Sequence, residues 1–489
     1  MDRNVCGAAT GQIGRLNAVS APRPETTRIA HQPALDGLRG LAVIGVLCFH
    51  GGHLTGGYLG VDAFFVLSGF LITSLLLAEA TARSTVSLRR FWERRARRLL
   101  PAAVCVVLAV AAYAAFFADR ADLSGIRGDS FATLAYVANW HAIWTSTDYF
   151  AMFASPSPLQ HTWSLAIEEQ FYLVWPLVVL LLVRRRPAPE AARRVLRLSA
   201  VGAAASVLIA QLRYAPTDTI VRSSTGVIGR FVHVVVLGRG PSRVYYGTDT
   251  RAASILIGSA LAAWLALHPF RSEPADGTPR LRGRRGVLEC IAALTMIGLG
   301  VAWTHLDGAS PVLYRGGLLL AAIGVVVVIA AAVHPQRGPV HRVLAWRPLC
   351  TVGLVSYGLY LWHWPLFVLL SPDRTHLDGW PLFALRLGVT ALVAAASYRW
   401  LEAPIRHGAG RAETFKVLVP VTAVVVVLAV VGATIVPDGT SVAAVRSGGL
   451  MIAGDSVAES LVPGFTQHSM YAVDAAVPGC RLMPGKIRG

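Results

Sequence analysis

LDGLRGLAVIGVLCFHGGH, residues 35–53, is an apolar run with Arg39 near its start and His50 near its end. Read as a helix rising 1.5 Å per residue, the eleven-residue step from Arg39 to His50 covers about 16 Å. A run of this length and hydrophobicity suits a membrane span. It therefore carries two ionisable side chains at two depths of one transmembrane helix. An ionisable group inside a span is expensive to bury and marks a functional position by default.

The rest of the chain repeats the pattern. Of its 489 residues 54% are hydrophobic and only 15% charged, and the mean hydropathy is +0.54. Soluble domains carry about 25% charged residues. Long apolar runs alternate with short Arg-rich connectors. Candidate spans fall at about 36–53, 60–79, 99–118, 164–183, 197–212, 252–268, 287–304, 315–333, 349–370, 381–400 and 417–436, eleven in all. The segment 131–145, FATLAYVANWHAIWT, is a short and aromatic twelfth candidate containing Asn139 and His141. Without it, the basic stretches 89–98, 184–197, 271–286, 334–348 and 398–411 all fall on one side, which the positive-inside rule assigns to the cytoplasm. The expected fold is an all-α membrane bundle of about eleven transmembrane helices, ten in the main domain and one linking helix. Its N-terminus lies inside, its C-terminus outside. The 213–251 loop is the exception: it carries six Arg on the outer side, which suits a structured loop that meets a ligand.

A formal net charge of +18 would suggest nucleic acid in a soluble protein. Here the arginines sit in short loops between spans, and no nucleic-acid-binding motif accompanies them. The lipid bilayer is the expected partner instead. The six cysteines (Cys6, Cys48, Cys105, Cys290, Cys350 and Cys480) include no CxxC pair, so neither a metal site nor a disulfide framework is expected. Residues 1–34 are polar and irregular, without the apolar core of a signal peptide, and read as a disordered cytoplasmic tail.

Within this topology His50, Asp62, Glu168, Glu169 and His363 come from four helices and reach the outer half of the bundle. An imidazole near pH 7 takes a proton from a hydroxyl, and a carboxylate beside it orients the ring and stabilises the imidazolium. That set suits acyl transfer to an alcohol. It equally suits a proton relay in a transporter or flippase, although the two halves show none of the internal repeat common in transporters.

Five ordered motifs separate these readings. The first joins Arg39 and His50, with ten residues between them, to GGYLGVDAFFVLSGFLIT (56–73); HTWSLAIEEQFYLVWP (161–176), PSRVYYGTDTRAASILIGSALA (241–262), VSYGLYLWHWP (355–365) and SYRWLEAPIR (397–406) follow. Together they resemble the membrane domain of acyltransferase family 3, over residues 35–408. The resemblance implies transfer of an acyl group, usually acetyl, from cytoplasmic acyl-CoA to a hydroxyl of an envelope glycan, lipid or small molecule. No bound cofactor is implied; acyl-CoA is the donor substrate. It also implies that His50 is the catalytic base, with a transient acyl carrier as the alternative. Glu168 assists His50 or holds the bundle, and Arg39 positions the donor. Arg251 and His363 are substrate-binding positions. An interhelical ion pair is the competing reading for Glu168 and Arg251, and a packed interfacial histidine for His363. Glu402, close to Arg399 and Arg406, reads as a structural pair.

The character changes after the last span. Residues 409–440 form the linking helix. GLMIAGDSVAESLVPGF (449–465) reads as an apolar strand, a Gly-Asp-Ser turn and a helix start, a way of presenting a nucleophile. It resembles the opening of an SGNH-type hydrolase-like domain, with Ser456 at the nucleophile position. Only 33 residues follow Ser456, too few for the later elements of such a domain or for a core. The expectation is an incomplete α/β-type segment over 441–489, with Ser456 inactive.

Overall fold

The computed structural model describes residues 31–145, 147, 157–218, 229, 232–270, 279–406, 412–435, 449–452 and 471–474. The chain divides into two units, Met1–Ala433 and Thr434–Gly489. Ser456 and residues 1–30 lie outside the described residues, as does part of the 213–251 loop.

The first unit is helical. Its long helices are α1 (Pro33–His50), α2 (Gly60–Arg83), α3 (Leu88–Phe116), α6 (Trp163–Val183) and α7 (Ala188–Arg213). Short α4 (Leu123–Leu134) and α5 (Ala138–Trp144) lie between α3 and α6, and α8 (Pro241–Tyr246) precedes α9 (Thr248–Leu267). Then come α10 (Pro279–His305), α11 (Leu318–Ala332), α12 (Pro339–Leu344), α13 (Arg347–Leu354), α14 (Ser356–Leu369), α15 (Pro372–Thr375), α16 (Gly379–Ser397), α17 (Ala403–Arg406) and α18 (Ala412–Thr434).

Among the described residues nine helices are long and apolar enough to cross a membrane, and α13 with α14 makes a tenth if that pair, bent by 68°, is one span. Of α18, the stretch Val421–Thr434 is a shorter apolar helix. The 131–145 segment is not one helix. The helix is interrupted between α4 and α5 at Tyr136, whose φ is +55°, and each piece is too short to span. The bundle's outside is apolar: Leu181, Leu320 and Leu392 are each about 70% exposed, as lipid contact requires. The protein is a multi-pass membrane protein.

Lipid tails are as apolar as leucine, so helices in a bilayer associate through close packing and hydrogen bonds rather than through burial from water. The α2–α9 contact shows how. A Cβ added to Gly69 would fall on the carbonyl oxygen of Ile255, and one added to Gly258 would fall on that of Val66. The two backbones touch because neither position has a side chain. Ser259 adds a hydroxyl bond to the Gly69 carbonyl at 3.3 Å, and Ser206 on α7 accepts the Ala253 amide at 3.0 Å.

The α5 segment is docked by polar groups. Asn139 Nδ2 donates to the Tyr246 carbonyl and to Thr248 Oγ1, both at 2.9 Å. Gln170 Nε2 donates to Asn139 Oδ1 at 3.0 Å, and Thr248 Oγ1 donates to Gln170 Oε1 at 2.7 Å. On α4, burial raises the Asp129 carboxyl above its ordinary range, and the Ser157 hydroxyl and His141 oppose that rise.

In the second unit β1 (Gly449–Ile452) and β2 (Tyr471–Asp474) pair in parallel, with Gly449 opposite Tyr471.

Candidate active site

Helix α1 carries both ends of the site. At its start Arg39 lines a cavity of about 680 Å³ with His31, Asp36, Ser68, Arg95, Arg98, Phe270 and Pro335. A narrower pocket of about 50 Å³ shares Arg39, Ser68, Arg95 and Arg98 and reaches Glu168, Ser164 and Tyr360. The shared side chains place the two cavities against each other, and together they form the arginine-walled recess. Arg95 lies 3.7 Å over the Tyr172 ring. The Tyr172 hydroxyl donates to Glu168 at 2.8 Å and lies 2.7 Å from Ser68 Oγ, whose own proton completes the chain.

At its other end α1 stops on His50. The His53 amide bonds to the Cys48 carbonyl at 2.8 Å and the Gly52 amide to that of Phe49 at 2.9 Å, a Schellman closure. It needs a left-handed residue, and Gly52 supplies it with φ +79°. His50 thus ends the helix at a fixed angle, 7% exposed. Its Nδ1 lies 3.1 Å from the Val46 carbonyl and 3.1 Å from Nε2 of His363 on α14. His363 is fully buried, and its Nδ1 donates to the Tyr360 carbonyl at 2.6 Å. The Trp364 ring lies 4.7 Å from that of His50.

A third imidazole completes the group. His161, just before α6, sits with its ring centre 5.3 Å from that of His363. Its Nε2 donates to the Leu361 carbonyl at 3.1 Å, and its buried Nδ1 has no hydrogen-bond partner among the described residues. Tyr360 joins the two ends. Its hydroxyl donates to the His161 carbonyl at 2.8 Å and lies 2.6 Å from Ser164 Oγ. The same side chain lines the narrow pocket, and its ring lies 5.4 Å from that of His363.

The sequence-derived residues separate into three places. Arg39 and Glu168 share the recess; His50 is not on its lining. His50 and His363 are in direct contact. Arg251 stands apart: its Nη2 donates to Asp62 Oδ2 at 3.0 Å, with both side chains essentially inaccessible. Ser254 donates to the other Asp62 oxygen at 3.0 Å, and Arg251 sits 5.0 Å from the Tyr245 ring and 5.5 Å from that of Phe65. That is the geometry of an interhelical clasp between α2 and α9. Glu402, 8% exposed, accepts from Ser397 Oγ at 3.2 Å.

His161 was missed because it precedes a span and breaks no apolar run. In HTWSLAIEEQFY the carboxylates draw attention first, and only the α6–α14 contact brings His161 to His363.

Buried imidazoles inside a multi-pass helical bundle that also holds an arginine-walled recess define an integral membrane protein with the interior of an enzyme. Residues 32–399 match the family described as an acyltransferase domain, and the chain belongs to that family. It is 38% identical over 389 residues to a peptidoglycan O-acetyltransferase OatA of Listeria monocytogenes, covering 78% of this chain and 57% of that one. It is 39% identical over 381 residues to a putative peptidoglycan O-acetyltransferase YrhL of Bacillus subtilis, covering 76% and 55%. An O-acetyltransferase OatA of Staphylococcus aureus is 33% identical over 414 residues, covering 83% and 61%. The chain therefore spans somewhat over half the length of these relatives. No solved structure matches it.

Proposed function

We propose that this chain moves an acyl group, acetyl by preference, from acyl-CoA to a hydroxyl of an envelope glycan. The relatives are peptidoglycan O-acetyltransferases by name, which supports a peptidoglycan acceptor. The placement of Arg-rich connectors supports an orientation with the Arg39 recess on the cytoplasmic side and His50 toward the outer side.

The observation that carries this reading is α1 itself, which sets Arg39 in a cationic recess and His50 in a buried imidazole group at its far end. Arg39, Arg95 and Arg98 offer guanidinium forks to the phosphates of the donor. Glu168 keeps that cationic wall ordered through Tyr172. The narrow pocket admits the donor's uncharged arm toward Tyr360. His50 takes the proton of the acceptor hydroxyl as its oxygen attacks the thioester carbonyl. The C–O bond forms, the C–S bond breaks, and the proton returns to the sulfur to release free CoA thiol. No metal enters these steps. Asp62 and Arg251 hold α2 against α9.

Membranes carrying the chain, supplied with acetyl-CoA and a peptidoglycan fragment, are expected to form ester-linked acetyl, and the His50→Ala variant to form none. Equal ester formation by the variant would overturn the role given to His50.

A further inference from the structure

His50 and His363 each have one nitrogen whose proton is fixed by a carbonyl. A carbonyl oxygen only accepts. The Tyr360 carbonyl, 2.6 Å from His363 Nδ1, therefore demands the proton on that nitrogen. In neutral His363 this leaves Nε2 with a lone pair. Nδ1 of His50 lies 3.1 Å from that lone pair and also 3.1 Å from the Val46 carbonyl. Two acceptors thus converge on one nitrogen, and both are satisfied only if His50 carries its proton on Nδ1. Its Nε2 is then the nitrogen with the lone pair.

We infer that His363 is a positioning residue that holds His50 in the Nδ1–H tautomer and so makes Nε2 the base for the acceptor hydroxyl. This rests on the reading of His50 as base. It replaces substrate binding as the role of His363, which is buried behind His50 against Tyr360 and Phe367. When Nε2 takes the hydroxyl proton, the Nδ1 proton strengthens its bond to His363, and the charge is spread over the pair. The carbonyls of Tyr360 and Val46 take the part that a carboxylate plays in a Ser-His-Asp triad, and they do so without a second buried charge. The order is legible in the chain: His363 lies three residues after Tyr360 on α14, so its Nδ1 returns to a carbonyl of its own helix while Nε2 faces α1.

Two substitutions separate positioning from packing. His363→Phe keeps the volume and removes both nitrogens. His363→Gln puts a carbonyl oxygen where Nε2 was, still able to accept from His50 Nδ1. The phenylalanine variant is expected to lose on the order of 100-fold in kcat, the scale of a general base out of place, with KM for acetyl-CoA nearly unchanged. The glutamine variant is expected to stay within roughly tenfold of the wild type. ¹⁵N spectra of histidine-labelled protein, with the His50 signals assigned by their loss in His50→Gln, read the tautomer without reference to activity. The Nδ1–H form is expected in the wild type and the glutamine variant, and a mixture in the phenylalanine variant. An Nε2–H tautomer in the wild type, or equal losses in both His363 variants, overturns the inference. Full activity of His50→Ala would instead sink the base reading on which it rests.

Discussion

His363 Nε2 reaches His50 Nδ1 at 3.1 Å across 313 residues of sequence. The contact ties the first helix to one of the last, beside the packing of the His50 ring on Trp364. Everything that sets the angle of either helix therefore bears on the placement of His50.

The clasp is the first place to test this. Asp62→Asn leaves Arg251 buried beside a neutral partner, and breaking one half of a buried pair costs about 3–5 kcal/mol. The variant is expected to show a clearly lower melting temperature in detergent and reduced folded yield. The double variant Asp62→Leu, Arg251→Met is expected to recover most of the loss, because a packed apolar pair replaces the buried charges. Acyl transfer that returns with folding marks Arg251 as structural. Transfer that stays lost while folding returns would restore it as a substrate contact.

At the recess the expected effect is on binding. On the proposed donor contact, Arg39→Ala removes a charge-assisted bond worth about 1.5–3 kcal/mol, so KM for acetyl-CoA is expected to rise by roughly 10- to 100-fold with a smaller change in kcat. Steady-state kinetics on membranes check this, and a fall in kcat at constant KM would contradict it. Arg39→Lys keeps the charge without the fork and is expected to fall between the two.

Tyr360 ties the recess to the imidazoles through its hydroxyl. Tyr360→Phe removes the bonds to the His161 carbonyl and Ser164, each worth about 1 kcal/mol. A fall of roughly tenfold in turnover is expected, with the fold intact by circular dichroism. Unchanged turnover would mean that the hydroxyl plays no part in holding the group.

Backbone contact between α2 and α9 makes Gly69 intolerant of a side chain. Gly69→Val places new methyl groups against the Ile255 carbonyl, and overpacking costs about 1–3 kcal/mol or more. Thermal unfolding in detergent is expected to show a loss, and a neutral result would mean that the helices separate freely here.

Much of the frame was legible in the sequence because a span announces itself by length and hydrophobicity alone. The position of His50 near the end of the first span follows from local pattern, and that span, expected at about 36–53, is α1, Pro33–His50; the two short helices replacing 131–145 were not read from it. What was not legible depends on pairing between distant segments. Asp62 and Arg251 are 189 residues apart, and nothing in either motif says which carboxylate the arginine meets. Glu168 was expected to assist His50 or hold the bundle; the two outcomes differ by which face of α6 turns toward α1, which apolar periodicity on a lipid-embedded helix leaves open. The 68° bend between α13 and α14 interrupts what reads as one apolar run, because Val355 lacks any marker such as proline.

His50 is proposed as the base for acyl transfer. The most direct measurement of that role is the appearance of ester-linked acetyl on a peptidoglycan fragment, by mass spectrometry, in membranes holding wild-type or His50→Ala protein at equal abundance. One added acetyl mass is expected in the wild type, dependent on acetyl-CoA, and none in the variant. Ester formation by His50→Ala at the wild-type rate would contradict it.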